Sequence, residues 1–309
     1  MAFSAIVAAV NRWCAGLHGL DAPALPTMTT TMVATLGLAL WLTAALLGMR
    51  VAGVGREAAG VWRGPHGLHR VTGLGLVSFL GLGGWLLLSS VTASAVGRTW
   101  PGSAVAQTAA TLAVNGVMAG GLWLMLRPSN RRAAAGPSER TGCRRTLATA
   151  GWALAGLLAV LPAVYLTLSA TVAVLKWWSP ETEVGHETLK LLAGSDSPFL
   201  VVLVVLSAVV VTPLFEELLF RGAVQGFCVS VLSGNDGPGW TARWGGIVAS
   251  SLVFAGLHAP WSMPAIFVLS VGLGYVYERT GRLAPAVVMH LLFNLISVLQ
   301  TLTSRGGSG

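Results

Sequence analysis

Two glutamates stand side by side in an apolar run, Pro213-Leu-Phe-Glu-Glu-Leu-Leu-Phe-Arg221, with an arginine four residues beyond the second. On a helix Glu217 and Arg221 share a face at i and i+4, with the acid on the favourable N-terminal side. An ion pair there holds Glu217 as a carboxylate in a dry site. Glu216 is turned about 100° away and is free to face a different cavity. Further on, Phe254 and His258 repeat the i, i+4 spacing, and so do His290 and Asn294. The chemistry these types allow is a general base, groups that orient water, and donors to a developing oxyanion. Imidazole and carboxylate also suit zinc, with Glu216, His258 and His290 as candidate ligands.

The elements that carry these residues are apolar. The chain has 309 residues, 54% hydrophobic and 10% charged, with a mean hydropathy of +0.73. A soluble domain carries about 25% charged residues, so the composition points to a polytopic membrane protein. Eight stretches are candidate spans: Met32–Met49, Val71–Val96, Ala104–Leu126, Leu147–Leu175, Phe199–Leu232, Trp244–His258, Pro264–Tyr277 and Ala284–Leu302. The sixth and seventh are short and read as short or tilted spans, or as a re-entrant pair around Pro260 and Pro264. The expected fold is an all-α transmembrane bundle of seven to eight spans. The linker Arg127–Arg145 divides it into an N-terminal region, 1–145, and a C-terminal region, 146–303.

A net charge of +8 raises the question of nucleic acid. The positive residues lie in short loops, however, where they set orientation, and nucleic acid is not expected as a partner. Residues 50–70 and 127–145 are rich in arginine, whereas 176–198 carries Glu181, Glu183, Glu187 and Asp196. The first two loops are expected to be cytoplasmic and the third outside. Tryptophans at segment ends, such as Trp100, Trp177 and Trp178, read as interfacial anchors. Cys14, Cys143 and Cys228 show neither metal-ligand spacing nor a disulfide framework.

Of the 11 acidic residues, only Glu216 and Glu217 fall inside an apolar segment. His258 and His290 are the only histidines in the C-terminal segments. Ionisable groups at such places usually face a protein interior and serve a function. Depth is the difficulty. Counted along each segment, Glu216, His258 and His290 do not come to one level without tilting or a re-entrant sixth segment. Pro213 bears on this, since it removes a backbone bond to Val209 and can kink the helix just before Glu216.

Taken together, E-E-x-x-x-R at Glu216, Glu217 and Arg221, F-x-x-x-H at Phe254 and His258, and H-x-x-x-N at His290 and Asn294 resemble the three motifs of the CPBP family. That family holds the CAAX proteases and bacteriocin-processing enzymes, the type 2 CAAX prenyl protease among them. The resemblance covers about residues 199–300. It implies a membrane-embedded endopeptidase, with lipid around it and a peptide or protein as substrate, in a bacterial-type cell membrane. It also implies roles. Glu216 is the base that activates water, and His258 helps to hold that water. Glu217 and Arg221 order the first motif. His290 and Asn294 stabilise the oxyanion. The mechanism is either metal-dependent, with zinc, or metal-free; the soluble zincin spacing H-E-x-x-H is absent. Two other classes compete: a non-proteolytic immunity or scaffold relative, and a proton-coupled transporter using the glutamates as relay groups.

Overall fold

The computed structural model describes residues 62–64, 67–69, 71–126, 142–182, 184–233 and 238–305. The candidate span Met32–Met49 and most of the linker lie outside them, as do Cys14 and Ser138. Apart from a short antiparallel hairpin, β1 (Trp62–Gly64) with β2 (Gly67–His69), the described elements are helices. They are α1 (Val71–Thr99), α2 (Ala104–Leu126), α3 (Gly142–Trp178) and α4 (Glu187–Gly194). After these come α5 (Pro198–Leu232), α6 (Trp240–Gly256), α7 (Met263–Thr280) and α8 (Leu283–Arg305). The hairpin and α4 were not expected from the sequence. Helices α1, α2, α3, α5 and α8 are long and apolar enough to cross a membrane.

In a bilayer the backbone must satisfy itself, and helices achieve this within one segment. Side chains that face lipid are free to be apolar, so Leu76, Leu87, Val117 and Leu166 are exposed on the bundle's surface. The interior is built around α5. One core joins it to α1, α2 and α6 through Leu74, Leu122, Leu219, Phe220 and Phe254. A second core joins α3, α7 and α8 through Leu157, Leu273 and Met289. A third, with Leu192, Leu200, Val204 and Val298, seats α4 against α5 and α8. Where α6 meets α5, Gly246 lies against the backbone and side chain of Val229, a place where a Cβ would collide. The missing side chain is what lets the two helices close up.

Helix α5 is not a regular α-helix throughout. Leu206–Val211 and Leu218–Gln225 are π-helical, a form that is rare and often found at functional sites. The first π turn has a cause in sequence. The N–H of Thr212 bonds to Ser207 O rather than to Ala208 O, and Pro213 has no N–H to offer either Ala208 or Val209. The Ala208 carbonyl is therefore left to a side chain: Asn294 Nδ2 of α8 donates to it at 2.8 Å.

The contacts of α5 with the α6–α7 pair resolve the depth problem. Going up α5 towards its N-terminus, Gly246 meets Val229, Phe254 meets Phe220, and Arg221 meets Ser270. Extended by one turn, the tip of the pair, around His258 and Pro260, comes level with Glu216 and Glu217. The pair thus turns back beside the middle of α5 instead of reaching its outer end.

Candidate active site

The motif residues are delivered by α5, α8 and the tip between α6 and α7. Glu217 is fully buried and both of its oxygens are occupied: Oε2 accepts from Arg221 Nε at 3.1 Å and Oε1 faces His290 Nδ1 at 3.0 Å. Arg221, also fully buried, donates from Nη2 to Ser270 Oγ at 2.9 Å, and its guanidinium carbon lies 5.6 Å from the Phe254 ring centroid. A buried charge is tolerated only when it is paired and hydrogen-bonded in this way.

Glu216 differs from its neighbour. Its side chain is 16% exposed, and its nearest ionisable partner is His290 Nε2 at 3.7 Å from Oε2, beyond hydrogen-bond range. His290 therefore stands between the two glutamates, one ring nitrogen towards each. With Nδ1–H donated to Glu217, Nε2 is the nitrogen presented to Glu216. The sequence reading had sent the two glutamates to different cavities and given Glu217 to Arg221 alone. The structure brings both onto one imidazole.

His258 donates from Nδ1 to the Phe254 carbonyl at 2.8 Å, which fixes its orientation and leaves Nε2 as the reactive nitrogen. The Phe254 ring lies beside both imidazoles, with centroids 4.8 Å from His258 and 6.0 Å from His290. Asn294, one turn beyond His290, places one amide hydrogen on Ala208 O as described above. The structure thus joins Glu216, Glu217, Arg221 and His290 directly, with His258 joined through Phe254 and Asn294 through the α5 backbone.

Ser270 was missed by the sequence reading. A lone serine in an apolar helix usually returns its hydroxyl to its own backbone, so nothing marked it as a partner of Arg221. Gln225 was missed as well. It donates to Gly274 O at 3.2 Å and to Glu278 Oε1 at 3.1 Å, and Glu278 in turn pairs with Arg243 at 2.9 Å. Glu278 had been read as a segment end. It caps a polar network that pins α5, α6 and α7 below the site.

Among the described residues, no group of three or more His, Cys, Asp and Glu side chains is placed to hold a metal ion. Glu216, His258 and His290, the expected ligands, are not gathered into such a group, and no step below is routed through a metal.

Buried carboxylates, a guanidinium and imidazoles at the centre of long apolar helices define an integral membrane protein with an ionisable interior site. Residues 198–296 match the family model described as Rce1-like, type II CAAX prenyl endopeptidase Rce1-like. That segment is about a third of the chain and contains all seven motif residues. Over it, the resemblance to CPBP proteases read from the motifs holds. No curated protein and no solved structure matches the chain.

Proposed function

We propose that this protein is an intramembrane endopeptidase in which Glu216 activates water for attack on a peptide carbonyl. The observation that carries the reading is the asymmetry of the glutamate pair. Glu217 is sealed between Arg221 and His290, whereas Glu216 is partly exposed and, among the described residues, holds no hydrogen bond that would compete for its oxygens. A base must reach the proton it takes, directly or through one water. Only Glu216 is placed to do so.

Glu216 removes a proton from the attacking water, and the oxygen adds to the carbonyl carbon. Glu217 holds the His290 ring so that Nε2 faces the reacting region. His258, oriented by the Phe254 carbonyl, presents Nε2 to the same water. The second amide hydrogen of Asn294 is the candidate donor to the oxyanion. Glu216 then returns the proton to the leaving amine. The substrate is a peptide or protein that enters from the membrane, and prenylation of that substrate rests on the family description alone. The five long helices cross the membrane, with α6 and α7 as the re-entrant pair and Met32–Met49 as a further span, in a bacterial-type cell membrane.

Purified protein incubated with a peptide library and read by mass spectrometry tests the proposal. Cleavage products that appear with the wild type and vanish with Glu216→Ala support it. Equal products from both remove Glu216 as the base, and none from either favours a non-proteolytic relative.

A further inference from the structure

Helices α1 and α2 lie outside the segment that matches the protease family, yet they reach the base. Trp85 Nε1 of α1 donates to Asn115 Oδ1 of α2 at 2.9 Å, and Asn115 Nδ2 donates to Thr212 Oγ1 of α5 at 2.8 Å. Thr212 is the residue whose N–H closes the first π turn of α5, and it lies four residues before Glu216. The Trp85 ring also rests 5.5 Å from the ring of Phe215, the residue next to Glu216.

Asn115 is 3% exposed. In apolar surroundings an unmet amide costs several kcal/mol, so both ends of its side chain are fixed by these two partners. Asn294 of α8 holds Ala208 O of the same turn. The π turn is thus held by two amides, one from α2 and one from α8, directly before the glutamate pair.

We infer that Trp85, Asn115 and Thr212 form a clamp that sets the position of Glu216, making α1 and α2 a positioning element for the site and not only a lipid-facing wall. The inference rests on the proposed role of Glu216. It differs from ordinary helix packing in what it predicts. A packing contact, when lost, lowers stability. A positioning contact, when lost, moves the base, and a misplacement of about 1 Å can cost on the order of 10²-fold in rate.

The test uses Thr212→Val, which keeps the shape and removes the acceptor, and Thr212→Ser, which restores the hydroxyl. A quenched fluorescent peptide cleaved by the wild type reports kcat and KM in detergent, with Glu216→Gln as the control. The clamp predicts that kcat falls at least about 10-fold in Thr212→Val with KM nearly unchanged, and that Thr212→Ser restores it. Trp85→Phe, which keeps the ring against Phe215 and removes the N–H, should lower kcat in the same direction. A second readout needs no turnover. In protein labelled with isotopic histidine, the His290 ring resonances, assigned by His290→Gln, should shift in Thr212→Val and return in Thr212→Ser, because His290 faces Glu216. Unchanged kcat in Thr212→Val beside an inactive Glu216→Gln overturns the clamp and leaves the protease reading intact. Unchanged His290 resonances overturn it as well. An active Glu216→Gln removes the role of Glu216, and the clamp falls with it.

Discussion

Adjacent in sequence, Glu216 and Glu217 meet different surroundings because one helical step turns a side chain by about 100°. Glu217 is locked by Arg221 and His290, and breaking a buried pair by removing one partner costs about 3–5 kcal/mol. Glu217→Gln and Arg221→Gln should therefore each lower thermal stability strongly. The double variant should be less damaging than the sum of the two, since the pair acts as a unit; melting in detergent measures all three. Independent, additive losses would show that the pair is not the structural unit described here. Metal removal gives a second check at this scale. Cleavage by protein stripped with a chelator should keep its full rate, because the proposed attack uses Glu216 as the base and routes no step through a metal. A rate lost on chelation and restored by zinc would contradict this. The five ionisable motif residues were legible in the sequence because such groups stand out in apolar segments. Ser270 and the Glu217–His290 contact were not, because a pairing across 73 residues leaves no local spacing to read.

Helix boundaries were legible at the level of elements because lipid demands continuous apolar stretches. Val71–Val96 became Val71–Thr99, and Ala104–Leu126 was unchanged. What hydropathy does not encode is the detail within a span. The first π turn of α5 comes from hydrogen-bond arithmetic around Pro213, and the depth at which α6 and α7 turn back comes from contacts such as Gly246 with Val229. Pro213 could be read as a kink. The structure shows that it starves the Ala208 carbonyl, which Asn294 then serves. Pro213→Ala supplies the missing N–H and lets the turn close towards regular helix. The expected result is equal or higher melting temperature with reduced kcat, the usual exchange when a strained site is relaxed. A lower melting temperature with unchanged kcat would contradict it.

Seen at the scale of the bundle, Arg243, Arg279 and Arg282 gather where α6 begins, α7 ends and α8 begins, while Arg98 and Lys176 close α1 and α3. Arg243 pairs with Glu278, Arg282 donates to Thr149 at 2.8 Å, and Arg279 lies in the same terminal turn of α7. Trp177 and Trp178 are highly exposed at the opposite end, as membrane-interface anchors would be. The loop reading gives a prediction for topology. In a variant with Cys14, Cys143 and Cys228 replaced, an impermeant thiol reagent added outside should label Thr182→Cys and not Ser138→Cys. The reverse pattern would invert the orientation. The division at 145 was legible only as a change in composition. It could not reveal that the described part of the N-terminal region shares a core with α5 and α6, because that core brings Leu74 and Leu122 of one region onto Leu219 of the other.

The whole account turns on one oxygen pair, that of Glu216. The most direct measurement compares Glu216→Gln with the wild type for peptide cleavage and for thermal melting in the same detergent. Glutamine keeps the shape and removes the base, so cleavage should vanish while the melting temperature stays level or rises, Glu216 being outside the locked Glu217–Arg221–His290 group. Normal cleavage by Glu216→Gln would contradict the central claim.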